Sequence, residues 1–243
     1  MDAKQIIRRY DKAYSKKTTV DTRYKEVFKY IIPDRDGYNK PDSDETFDNN
    51  RSQVFSSVGI NAGVAFVNRI QSMLTPIKGE FIELKVPDNT KEKEQRDREL
   101  EEVANVCNTL KNKSNFDQEI GAFYSDLIAG TACLLVQRGD INNPIIFRAI
   151  PIKDVSILEG VGGEVSDVFR KFTMRRELLK HQWTELKDMP IDDSKAEEEA
   201  EIIECTHKDY EKGIWYYYVV DKSNDKKLLE REYEINPFII LRW

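Results

Sequence analysis

The sequence predicts an α+β fold, with N-terminal helices packed on mostly antiparallel sheet. Up to Gly130 the apolar residues recur at three- and four-residue spacing, the period of a helix with one buried face. From Thr131 onward they fall into short runs cut by Gly, Asn, Asp and Pro, the punctuation of strands and tight turns. Helices first and strands afterwards is the order of an α+β chain.

Residues 3–32 read as two helices joined near Ser15–Thr19. Ile6, Ile7, Tyr10, Ala13 and Tyr14 form one stripe; Tyr24, Val27, Phe28 and Ile31 form the other. Pro33 stops the second. Residues 33–46 are a polar loop without periodicity. A long helix follows from residue 47, with Val54, Val58, Ala62, Ala65, Phe66, Ile70, Met73 and Leu74 on one side. Gly59 and Gly63 lie inside it. Each glycine costs a helix interior about 1 kcal/mol relative to Ala, so close backbone approach to a neighbour is the expected return. Pro76 ends that helix. Lys78 and Gly79 turn the chain into an expected strand with Ile82, Leu84 and Val86 on one face. A charged helix start is then followed by Leu100, Val103, Val106, Cys107 and Leu110 at helical spacing. Ser114, with an acid three residues on, reads as a capping box for a helix that buries Phe116, Ile120, Phe123, Tyr124, Leu127 and Ile128. Gly130 stops it.

The expected strands are 131–138, 145–150, 153–158, 165–173, 201–210, 214–221 and 226–232. A helix over 174–187 buries Leu178, Leu179, Trp183 and Leu186, and the acidic loop DDSKAEEEAE follows it. The strand at 214–220 is aromatic on both faces, which suits a central position in its sheet. The chain closes on an apolar strand at 237–243, an ending that suggests a longer polypeptide cut short.

With 243 residues the chain is one large domain or two small ones, and 40% apolar with 34% charged residues is a soluble globular composition. No apolar run approaches the roughly 18–20 residues of a membrane helix, and the first residues lack the apolar centre of a signal peptide. Three scattered cysteines argue for a reducing compartment without a disulfide framework. The net charge of −6 is unevenly spread: residues 1–40 carry +5. A protein that grips duplex DNA needs an excess of basic residues. This chain lacks one overall, so it either avoids nucleic acid or touches it loosely. The basic N-terminal segment reads as a solvated helix face rather than a phosphate contact, because acids are interleaved through it.

Reaction chemistry is hard to find. His181 and His207 lie in different elements without ligand spacing and read as surface residues. Cys107, Cys133 and Cys205 form no C-x-x-C pair, and the first two read as core thiols. Glu197–Glu199 with Glu201 could hold a cation, although a run of acids in a loop is usually solvated. Asn115 could serve as a polar ligand, with helix capping the simpler role. No phosphate-cradling loop and no nucleophile elbow is present. The expectation is no catalytic residues, no cofactor and no metal.

Four blocks, in order, resemble the head-to-tail connector (portal) protein family of short-tailed bacteriophages. The first is Ser72–Pro76 followed by Phe81–Leu84, similar to the family's L-T-P turn and aromatic-leucine strand, with Asp48 matching an acid near the helix start. The second is Ser114–Phe116, then Asp126–Thr131 and a strand, with Ala132 where the family usually has Gly. The third is Phe147–Ile157, then Gly163–Arg170 and Thr173–Leu178. The fourth is Pro237–Trp243, similar to a P-F-x-x-x-R-W element.

The resemblance implies a structural subunit of a twelvefold ring at one capsid vertex. Double-stranded DNA is packaged and ejected through that ring without regard to sequence. Its implied partners are further copies of itself, the major capsid protein, the terminase and tail or adaptor proteins. The implied location is the virion, with assembly in the host cytoplasm and no membrane. The family pattern continues past the R-W element into stem and clip, so this chain is expected to be the wing part. Residues 1–46 then form a helical segment and polar loop, and 47–243 a wing-like α+β domain. Two other readings stay open: an unrelated α+β adaptor or binding protein, and a metal-dependent enzyme using the acids at 193–201.

Overall fold

The computed structural model describes residues 1–33, 56–88, 91, 93–188 and 196–242. Helices α1 (Ala3–Ile31), α2 (Val58–Leu74), α3 (Lys93–Lys113) and α4 (Phe116–Leu127) lead into the strands. These are β1 (Thr131–Arg138), β2 (Ile145–Ile150), β3 (Val155–Glu159), β4 (Val165–Arg175), β5 (Glu199–Asp209), β6 (Ile214–Asp221), β7 (Lys226–Tyr233) and β8 (Phe238–Arg242). A short helix, α5 (Leu179–Gln182), interrupts them between β4 and β5. The expected residues 47–55 of the second helix, Asp48, most of the polar loop and the boundary at residue 46 lie outside the described residues.

Two antiparallel sheets result, with strand orders β2-β1-β8 and β3-β4-β5-β6-β7. Strand alternation sorts each strand's side chains into two sets. Val168, Ile202, Tyr217 and Val219 of the larger sheet meet Cys133, Leu135, Ile150 and Phe238 of the smaller one, with Leu179, Trp183 and Leu186 packed in. The opposite face of the larger sheet, Phe169, Ile203, Cys205, Tyr218 and Val220, is covered by Ala3, Ile6, Tyr10 and Ala13 of α1. The outer face of the smaller sheet, Ala132, Leu134 and Ala149, is covered by Phe116, Ile120, Phe123, Tyr124 and Leu127 of α4. The aromatic strand β6 is an interior strand between β5 and β7, as its two apolar faces require, and β5 holds the centre.

The first helix is single, not two. A capping box opens it: Gln5 N–H donates to the Asp2 carboxylate at 2.7 Å, and Asp2 N–H donates to the Gln5 side chain at 3.0 Å. It then runs unbroken through Ser15–Thr19. That stretch lacks apolar residues, yet contains no Gly or Pro to stop propagation, which is cheap once a helix is nucleated. Lys17 holds it locally, donating to the Lys153 carbonyl.

The expected close approach at the glycines of α2 is present, and it lies within the chain. A Cβ on Gly59 would stand 2.9 Å from the Tyr30 carbonyl oxygen. One on Gly63 would stand 2.6 Å from the Ile31 side chain and 3.3 Å from its carbonyl oxygen. Beyond α2, Gly79 N–H donates to the Pro76 carbonyl at 2.8 Å, with Lys78 at φ 54°, closing the expected turn.

The segment after that turn is not a strand. Residues 81–87 find no neighbouring strand among the described residues, and side chains of α3 take some of their backbone groups instead. Asn108 accepts from Ile82 N–H at 3.3 Å and donates to the Ile82 carbonyl at 3.0 Å, while Asp97 accepts from Val86 N–H at 3.0 Å. At Ser114–Asn115 the capping box is likewise absent. Ser114 Oγ donates to the Lys111 carbonyl, and Asn115 makes no side-chain cap. Asn115 instead bonds both backbone groups of Phe147, at 2.7 and 2.9 Å, on the outer rim of β2. The helix expected over 174–187 is reduced to α5 and flanking single turns because β4 continues to Arg175; Leu179, Trp183 and Leu186 are buried, while Leu178 is exposed.

Candidate functional site

Three arrangements stand out from the packing. The first is an apolar flank. Val58 and Met73 on α2 are each 73% exposed, and Val64, Leu74 and Ile77 are exposed beside them in sequence. On α3, Val103 and Val106 face solvent, Val106 at 58%. The apolar stripes that helical spacing sets on these helices are therefore only partly buried. The inward residues of α2 centre on Gly63, with Val67 and Ile70 against α4; those of α3 are Ala104, Asn108 and Lys111. Lys111 donates to the Gly79 carbonyl at 2.7 Å and lies 4.3 Å from the centre of the Phe81 ring.

The second is a buried ionic knot beneath α1. Asp167 on β4 is fully buried. Arg9 Nη2 donates to both its carboxylate oxygens, at 2.7 and 2.8 Å, and Ser166 Oγ donates at 2.7 Å. His207 Nδ1 stands 2.8 Å from the same carboxylate. Burial pushes the Asp167 carboxyl up, but the hydrogen bonds from His207, Arg9 and Ser166 outweigh it and hold the group below the ordinary carboxylate range. His207 is thus half-buried and bonded rather than a plain surface residue, while His181 is exposed.

The third lies between the sheets. Arg170 donates to Glu204 at 2.8 Å, Tyr217 Oη donates to the other Glu204 oxygen at 2.8 Å, and Trp183 Nε1 donates to Tyr217 Oη at 3.1 Å. Burial and the neighbouring Glu204 raise the Tyr217 hydroxyl well above its usual value, so it stays protonated as a donor. Neither network was legible as a pair of motifs, since Arg9, Asp167 and His207 are far apart in sequence. The available signal was an acid in the middle of each of two apolar strands, where acids are depleted.

The cysteines are free, Cys133 and Cys205 buried and Cys107 half-buried. Of the acids singled out as a cation site, Glu201 pairs with Lys171 at 3.0 Å. Among the described residues no group of three or more His, Cys, Asp or Glu is placed to hold a metal ion, and no helix is long and apolar enough to cross a membrane.

The blocks that carry the family resemblance fall on structural junctions. Ser72–Pro76 ends α2, Ser114–Phe116 enters α4 and grips β2, Gly163–Arg170 starts β4, and β8 completes the smaller sheet. No curated protein matches the chain. The family model described as bacteriophage head to tail connecting protein matches residues 3–243. The chain therefore belongs to the bacteriophage head-to-tail connecting protein family, a structural family whose place is in the virion, between capsid and tail components.

Proposed function

We propose that this chain is a portal subunit, a wedge in a twelvefold ring at one capsid vertex. Duplex DNA is packaged and ejected through the ring, and terminase and tail dock on it. The observation that carries this reading is the extent of the family match, which takes in the helices and both sheets rather than one motif. The net charge of −6 supports it, since a conduit with little phosphate adhesion lets DNA slide. The exposed apolar residues of α2 and α3 support it as well, because a ring subunit buries two different faces head to tail, in permanent interfaces of roughly 2,000 Å² or more.

The same proposal takes residues 1–46 as an N-terminal helical segment and polar loop and 47–243 as a wing-like α+β domain. The chain acts by shape and contact, without catalytic residues, cofactor or metal, and assembles in the host cytoplasm. Negative-stain electron microscopy of the complete gene product tests it. Closed rings with twelve subunits are expected, and monomers at every concentration tried would overturn the reading.

A further inference from the structure

An open groove of about 870 Å³ lies where β1 and β2 part from the edge of the larger sheet. Arg138, Arg148, Arg231, Trp183, Tyr217 and Tyr233 help to line it. Two of its cations are unspent. Arg231 is engaged with Glu185, its Nε donating at 2.7 Å. The guanidinium groups of Arg138 and Arg148 meet no hydrogen-bonding or ionic partner among the described residues, although Arg148 is half-buried. Side chains of this kind normally find acceptors when withdrawn from water.

The wall behind them is rigid. Trp183 and Tyr217 are tied to each other and on to Glu204 and Arg170, so the aromatic side of the groove is fixed before anything enters it. Trp183, Tyr217 and Leu135 are buried behind this wall, and the half-buried Ile146, Tyr233 and Pro237 supply the accessible apolar surface. The site therefore offers two forked donors beside a floor formed by Ile146, Tyr233 and Pro237.

We propose that this groove binds an extended acidic peptide of a partner protein, with carboxylates taken by Arg138 and Arg148 and neighbouring apolar side chains laid on the floor. Guanidinium forks match carboxylates in bidentate fashion. Nucleic acid is the less suitable occupant. The groove's own acids are engaged, Glu185 by Arg231 and Asp140 by the backbone N–H groups of Asn142 and Asn143, and a phosphate backbone calls for a longer stripe of cations than two free arginines provide. This inference does not rest on ring assembly: the lining residues named here all belong to one chain.

The test is fluorescence anisotropy on the full 243-residue chain. The probes are a short fluorescein-labelled peptide alternating Glu and Leu, its Lys-for-Glu counterpart and a labelled oligothymidine. Saturable binding of the Glu-Leu peptide is expected, weakening with salt, with the Lys peptide inert. Arg148→Gln should weaken it about tenfold or more, the loss of one charge-assisted hydrogen bond. Arg138→Gln, at an exposed strand end where folding is not at stake, should act in the same direction. Arg138→Glu with Arg148→Glu should reverse the preference toward the Lys peptide. Equal affinity of wild type and both Gln variants would overturn the proposal. So would absence of saturable peptide binding, or tighter binding of the oligothymidine that the same variants abolish.

Discussion

The two-sheet body and the outer helical flank solve the burial problem differently. In the body, most apolar side chains from both faces of both sheets find cover inside the chain, with Ile239 and Leu241 of β8 left exposed, and the fully buried Asp167 and Glu204 are matched by partners at hydrogen-bonding distance. In the flank, α2, α3 and the extended segment between them are fastened by glycine contacts and side-chain bonds to backbone, while Val58, Met73 and Val106 remain in water. The body is built to hold its own shape. The flank carries apolar surface that the described residues of the chain leave uncovered.

Breaking the body should cost most. Asp167→Asn leaves Arg9 without its counter-charge. Because Arg9 is 39% exposed and can rehydrate, the loss should be about 2–3 kcal/mol rather than the full cost of a stranded buried ion. The folded carboxyl sits below its ordinary value, so its contribution is complete above about pH 4 and fades as pH falls through the depressed native value. Urea denaturation of wild type and variant should therefore differ most at neutral pH and converge in acid. A constant difference across that range would detach the effect from Asp167 ionisation.

The seam between the two regions comes next. Gly63→Leu forces new atoms against the Ile31 side chain and carbonyl and should destabilise by about 1–3 kcal/mol, read as a lower melting temperature. An unchanged melting temperature would mean that α2 can lift away from α1 at no cost.

The flank should yield the smallest effect on the isolated chain. Val106→Ser should move stability by less than about 0.5 kcal/mol, the ordinary range for exposed positions. The same variant should reduce assembly of the complete gene product in sedimentation. A large stability loss with normal assembly would erase the contrast between body and flank.

Most of the body was legible in the sequence, because period-two runs, Gly-Asp and Asn-Pro turns and the stop at Gly130 are local signals. The flank was less so. Periodicity reports that a helix has an apolar side, without saying whether that side meets its own chain or another, and so the exposure of Val103 and Val106 was not legible. Residues 82–86 alternate as a strand does, but a strand also needs a neighbour, and Asn108 and Asp97 on α3 occupy that place. The ionic knot at Asp167 joins positions 158 and 40 residues away along the chain, and no local pattern encodes such a meeting.

Helix α1 has a mechanical consequence. Its 29 residues make a beam about 43 Å long. At one end the Met1 carbonyl is held by Lys227, and about a quarter of the way along Arg9 is riveted to Asp167. At the other end the Tyr30 and Ile31 carbonyls are clamped beneath Gly59 and Gly63. Load placed on the outer helices is thus passed lengthwise along α1 to the Arg9–Asp167 anchor in the larger sheet.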